Sequence, residues 1–182
     1  MTKKDIFTIG GIIILGLIVF ECASKYIGAS YKKAAEQQSE SYPELKGQVL
    51  PSFNLLLPDS ATIIDVAKKE TNKSTVLFYF RPDCPYCQKE MTQITQEIKK
   101  LTDIHFFIFT PYPFKEMMDF YKHFDLKQYL NITMGQDYNY FFANHFKIGS
   151  VPCIMVYGKD KRLRGTFIGN IAPEQIIELA NK

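Results

Sequence analysis

Phe78-Tyr79-Phe80-Arg81-Pro82-Asp83-Cys84-Pro85-Tyr86-Cys87-Gln88-Lys89-Glu90-Met91 begins as an apolar, strand-like run, turns at Pro82-Asp83 and continues with helical spacing. Two thiols stand three positions apart where turn becomes helix. One helical turn keeps both sulfurs close, so a disulfide can open and close there. The first-turn amides and the helix dipole favour negative charge, which acidifies a cysteine at that position. Cys84, at or beside the N-cap, is expected to be the exposed, acidified nucleophile. Cys87, one turn further, is expected to be more buried and to resolve. Pro85 suits the first helical turn, where its missing N–H costs least.

Downstream, Cys87, Met91, Ile94, Ile98 and Leu101 repeat at spacings of four, three, four and three, an apolar helical stripe. Val76–Phe80 and Ile104–Phe109 are continuous apolar runs, as strands buried on both faces require. Phe114 to Phe124 reads as an amphipathic helix, Asn131 to Met134 as a strand and Tyr138 to Phe146 as a helix. Cys153–Tyr157 and Leu163–Ile168 flank a turn at Gly158-Lys159-Asp160, and Gly169-Asn170 leads to a last helix with Pro173 in its first turn. Phe53–Leu57 and Thr62–Val66 flank Pro58-Asp59-Ser60 and read as a hairpin. The pattern predicts an α/β fold: a mixed sheet with helices on both faces. Residues at the carboxyl ends of such strands form sites, and Cys84 falls there.

The N-terminal part differs. Lys3 and Lys4 precede an uncharged run from Ile6 to Phe20, marking an export or insertion signal with its N-terminus on the cytoplasmic side. Fifteen helical residues cover roughly 22 Å against a hydrocarbon core of about 30 Å. A retained anchor over residues 1–23 is expected ahead of a cleaved signal, because Phe20-Glu21-Cys22-Ala23-Ser24 makes a poor cleavage site. Phe20 and Glu21 also argue against lipidation of Cys22. Residues 24–48 are polar and read as a linker, and 49–182 as the folded domain. The formal net charge of +3 and the lack of basic runs interleaved with aromatics argue against nucleic acid.

A pair of cysteines alone also fits half of a zinc site. Zinc takes four ligands, and His105, His123 and His145 are scattered, so no metal is expected there. Cys153 follows Pro152 directly, either as a third sulfur within reach of the pair or as a small buried hydrophobe.

Cys84-Pro85-Tyr86-Cys87 after a buried strand, with Ser150-Val151-Pro152 before a strand hairpin, resembles the thioredoxin superfamily. The N-terminal hairpin and the helix and strand inserted between Pro111 and Met134 resemble its membrane-anchored TlpA/ResA-type branch. The resemblance implies a thioredoxin-like fold in which Pro152 is cis and shapes a substrate groove. Val151 would pair with an extended substrate chain, and Pro85 and Tyr86 would border it. It further implies a Cys84–Cys87 redox disulfide with no other cofactor. Glu90 completes Cys-x-x-Cys-x-x-Glu, an acid placed to hold or relay the proton of Cys87, against the plainer reading of a solvated surface glutamate.

Some features depart from the superfamily pattern. The chain has no Trp, Asp83 stands where thioredoxins carry one, and Phe78 stands where they bury an Asp. No Gly-Gly follows the Pro152 strand to hold glutathione, and Arg81 occupies the position of the peroxidase Thr. The expected function is a membrane-tethered, extracytoplasmic oxidoreductase of protein disulfides. Its partners would be protein thiols and disulfides, an upstream electron donor or acceptor, and the membrane through residues 6–23. A copper chaperone on the same fold is the alternative. The direction of electron flow stays open.

Overall fold

The computed structural model describes residues 41–69 and 72–182. Three parallel strands form the middle of the sheet, β3 (Ser74–Tyr79), β4 (Ile104–Thr110) and β5 (Ile132–Gln136). Every residue of β3 and β4 is buried, which explains their unbroken apolar runs: both faces are covered. Helix α1 (Pro85–Gln96) connects β3 to β4, and α2 (Phe114–His123) connects β4 to β5. After α3 (Phe141–Phe146), β6 (Cys153–Tyr157) runs antiparallel to β3 and β7 (Leu163–Ile168) returns beside it. Helix α4 (Pro173–Ala180) follows. The hairpin β1 (Asn54–Leu56) and β2 (Ile63–Asp65) adds to β5, giving the order β2-β1-β5-β4-β3-β6-β7. This is the mixed sheet with an N-terminal hairpin and a helix-strand insert that the sequence led us to expect.

Strand alternation divides the core into two layers. Val76, Phe78, Phe106, Ile108, Ile154 and Val156 pack with α1, α2 and α4 on one face. Leu77, Tyr79, Phe107, Phe109, Met155 and Tyr157 pack with α3 and residues 50–66 on the other. Aromatic contacts dominate this second layer. The ring of Phe53 lies 5.0 Å from that of Phe141, and Tyr79 stacks on Phe142 at 4.6 Å.

The structure moves two expected boundaries. The helix expected from Tyr138 starts at Phe141, because the buried Asp137 carboxylate accepts the N–H groups of Phe141 and Phe142 at 2.9 Å each. Its N-cap, Tyr140, takes a left-handed φ of 55°. Residues 42–48, assigned by composition to the linker, join the domain. Tyr42 and Leu45 pack on the second layer, Gly47 N–H donates to the Leu163 carbonyl, and Leu163 N–H donates to that of Gln48. Among the described residues no helix is long and apolar enough to cross a membrane. The apolar run over 6–23, Cys22 and most of the expected linker lie outside the described residues.

Candidate active site around Cys84 and Cys87

The chain leaves β3 at its carboxyl end and closes a tight turn before α1. Cys84 N–H donates to the Arg81 carbonyl at 3.1 Å, and Gln88 Nε2 reaches back to the Pro82 carbonyl at 3.0 Å. Cys84 is the N-cap, with extended backbone (φ −79°, ψ 118°), and Pro85 opens the helix. The Cys84 carbonyl accepts the helical N–H of Gln88 at 3.0 Å. Its side chain makes no capping hydrogen bond, so the sulfur sits at the positive end of α1 without being used as a cap. Arg81 Nε pairs with Asp83 Oδ1 at 2.6 Å, so the two opposing charges beside Cys84 are directed at each other. Both side chains are open to solvent, Asp83 more than Arg81, and the pair adds little to stability.

Cys84 and Cys87 are both free thiols. Cys84 is only 6% exposed, which corrects the expectation of an open nucleophile, whereas Cys87 is fully buried. The expected order of accessibility holds, but the difference is narrow because both pack in the layer formed by α1, α2 and α4. Burial pushes the Cys87 thiol well above the ordinary cysteine range. The Arg81 backbone N–H and the Arg81 charge oppose this shift, while a side-chain hydrogen bond with Cys84 adds to it. Tyr86 stands 64% exposed beside Pro85, also exposed, on the outer side of the pair.

Glu90 is not a solvated surface residue: none of it is exposed. It lies one turn beyond Cys87, where side chains three apart are neighbours on a helix. Its Oε2 accepts Asn170 Nδ2 at 2.9 Å and the Ile171 N–H at 3.1 Å. Oε1 is buried with no hydrogen-bond partner among the described residues. Burial raises the Glu90 carboxyl to about 7, opposed by the bonds from Asn170 and Ile171 and by Lys89.

In the sequence Asn170 stands out only as part of the lead into the last helix. It also donates to the Tyr86 carbonyl at 2.8 Å, and its neighbour Gly169 donates its N–H to the Pro152 carbonyl at 2.9 Å. Residues 169–171 therefore hold the Cys-x-x-Cys helix, Glu90 and the Pro152 segment at once. The Val151–Pro152 peptide is cis, Pro152 is buried and Val151 half-buried against both core layers. The sequence signal for this tie was slight: a Gly-Asn step at the end of a strand, ordinary turn chemistry.

The structure takes Cys153 away from the pair. It packs in the second layer, with Tyr79 and Tyr157, and burial pushes its thiol up to about 12. An open cavity of about 400 Å³ lies between the Pro82-Asp83 turn and α2, lined by Asp83, Gln88, Glu116, Asp119 and His123 among others.

A Thioredoxin-like domain family model matches residues 61–182, more than half of the chain. No curated protein sequence matches. Among solved structures, the chain is similar to StoA from Bacillus subtilis (17% identity, TM-score 0.57, 74% of this chain and 100% of that one). It is also similar to a secreted Mycobacterium tuberculosis disulfide oxidoreductase homologous to Escherichia coli DsbE (20%, 0.55, 70% and 91%). A thiol:disulfide interchange protein of the thioredoxin family from Chlorobium tepidum also aligns (16%, 0.59, 74% and 94%). At these identities the likeness is one of fold. The chain belongs to the thioredoxin-like domain family.

Proposed function

We propose that this protein is a thiol-disulfide oxidoreductase acting on protein disulfides through Cys84 and Cys87. The observation that carries the reading is the position of Cys84: an uncapped N-cap sulfur at the end of a central strand, with a second thiol one helical turn on. In the reducing direction, Cys84 attacks as thiolate and breaks the substrate S–S bond. A mixed disulfide forms and one substrate thiolate leaves. Cys87 then gives up its proton and attacks Cys84 Sγ, forming the Cys84–Cys87 disulfide and releasing the second substrate thiolate. Two electrons pass from the enzyme dithiol to the substrate. The oxidising direction is the same sequence reversed.

Cys87 is too deeply buried to ionise unaided. Glu90, one turn away and itself titrating near neutrality, is the base that takes its proton. Val151 and Pro152 form the facing wall, Val151 offering backbone to an extended substrate chain, and Tyr86 and Pro85 form the outer rim. The hairpin and insert support the TlpA/ResA-type branch. Lys3, Lys4 and the apolar run to Phe20 support a membrane-tethered protein of the cell envelope with an extracytoplasmic domain. Its partners are protein thiols and disulfides and an upstream oxidoreductase.

The test is trapping. Cys87→Ser should accumulate mixed disulfides through Cys84 in the native host, because the resolving step is lost. Covalent partners on Cys87 in Cys84→Ser, with none on Cys84 in Cys87→Ser, would reverse the roles. Tight Cu(I) binding with no disulfide exchange would replace the enzyme reading by the metal one.

A further inference from the structure

We infer that Asn170 is a positioning residue of the exchange site: its side-chain amide fixes the Glu90 carboxyl and sets how readily that group takes up a proton. The inference rests on the proposed use of Glu90 as the base for Cys87. The two hydrogens of the Asn170 amide are both directed at α1, one to the Tyr86 carbonyl at 2.8 Å and one to Glu90 Oε2 at 2.9 Å. Tyr86 O and Glu90 Oε2 lie one turn apart on the same helix face, and one planar amide spans both.

This arrangement divides the carboxyl. Oε2 is occupied by the Asn170 and Ile171 donors, and Oε1 is buried with no partner among the described residues. Only Oε1 is left to take a proton. Donors to the charged form stabilise it, so each bond to Oε2 offsets part of the burial cost of the carboxylate. Among the described residues the charged and titratable groups around Glu90 are few. On α1 they are Cys87 and Lys89, and the turn 169–171 contributes amides only. Glu174 of α4 acts on Lys100 instead. Asn170 is therefore the one side chain from outside α1 that bonds Glu90 among the described residues.

Gly169 N–H on the Pro152 carbonyl anchors this amide to the facing wall.

The experiment follows the Glu90 carboxyl by ¹³C NMR in the full chain labelled at Glu, assigned with Glu90→Gln. In Asn170→Ala the titration midpoint should rise by about one pH unit, a tenfold change in proton affinity for one lost charge-assisted bond, and in Asn170→Asp it should rise further because a second carboxylate then faces the first. The pH limb of single-turnover exchange should move up with it. That limb should vanish in Glu90→Gln, where adding Asn170→Ala moves nothing further. Midpoints unchanged in both folded variants would overturn the assignment.

If neither variant folds, the native protein decides. The Asn170 side-chain amide resonances should titrate with the Glu90 midpoint, and flat resonances would overturn the assignment. Absence of exchange in the native protein would refute the proposed function, while the NMR midpoints would still decide the role of Asn170.

Discussion

Cys153 lies directly opposite Tyr79 in the antiparallel register of β6 and β3, and both side chains enter the core layer that excludes Cys84 and Cys87. One residue past Pro152, a sulfur is thus turned to the far side of the sheet, because successive strand residues face opposite ways. Cys153 does not join the pair.

Alkylation should read this directly. Among Cys84, Cys87 and Cys153, brief iodoacetamide treatment of the reduced protein at pH 7 should modify Cys84 first, by at least tenfold in rate. Of these three residues Cys84 alone keeps some surface, and burial holds the other two thiols protonated. Peptide mass mapping checks it. Cys153 reacting as fast as Cys84 would contradict the two-layer placement.

Two buried groups should pull stability in opposite directions between pH 4 and 7. The Glu90 carboxyl is raised from its ordinary 4.5 to about 7 by burial. Its contribution is full below 4.5 and is lost as pH climbs through 7. His105 is lowered from 6.5 to about 4, chiefly by burial and also by the Lys69 and Lys73 charges. Its contribution is full above 6.5 and is lost as pH falls through 4. The His105 ring sits 2.9 Å from Thr133 Oγ1, which also accepts from Lys69 Nζ at 2.7 Å.

Each shift corresponds to about 3 kcal/mol. In urea titrations the native protein should therefore vary little across this range. Glu90→Gln should gain about 3 kcal/mol from pH 4 to 6.5, and His105→Gln should lose a similar amount from pH 4.5 to 7. Identical pH profiles for all three proteins would contradict both placements.

Gly135 is where the insert strand meets the N-terminal hairpin. A Cβ there would lie 2.8 Å from Leu55 Cβ and 3.1 Å from the Leu56 carbonyl oxygen, both hard to displace. Gly135→Ala should cost about 1–3 kcal/mol in urea denaturation and leave exchange at Cys84 intact. A neutral effect would mean that the hairpin is not packed on β5 as described.

The fold was legible because its signals are local. Unbroken apolar runs gave β3 and β4, the four-three spacing from Cys87 gave α1, and Pro173 marked the start of α4. The late start of α3 was not legible, since it depends on Asp137 turning its carboxylate onto two backbone amides rather than to solvent. The pair and Pro152 were legible as motifs. The burial of Cys84 and Glu90 and the bridge by Asn170 were not. They arise where residues some 80 positions apart in sequence meet, and nothing in an isolated Gly-Asn step says which helix it will touch.

The central claim is that Cys84 and Cys87 form a reversible redox disulfide. Equilibrating the full-length protein in dithiothreitol buffers of graded potential and mapping disulfides by peptide mass tests it most directly. The expected result is a single two-electron transition confined to a Cys84–Cys87 bond and abolished by Cys84→Ser. Failure of that bond to form in oxidising buffer, or a disulfide linking either residue to Cys153 instead, would contradict it.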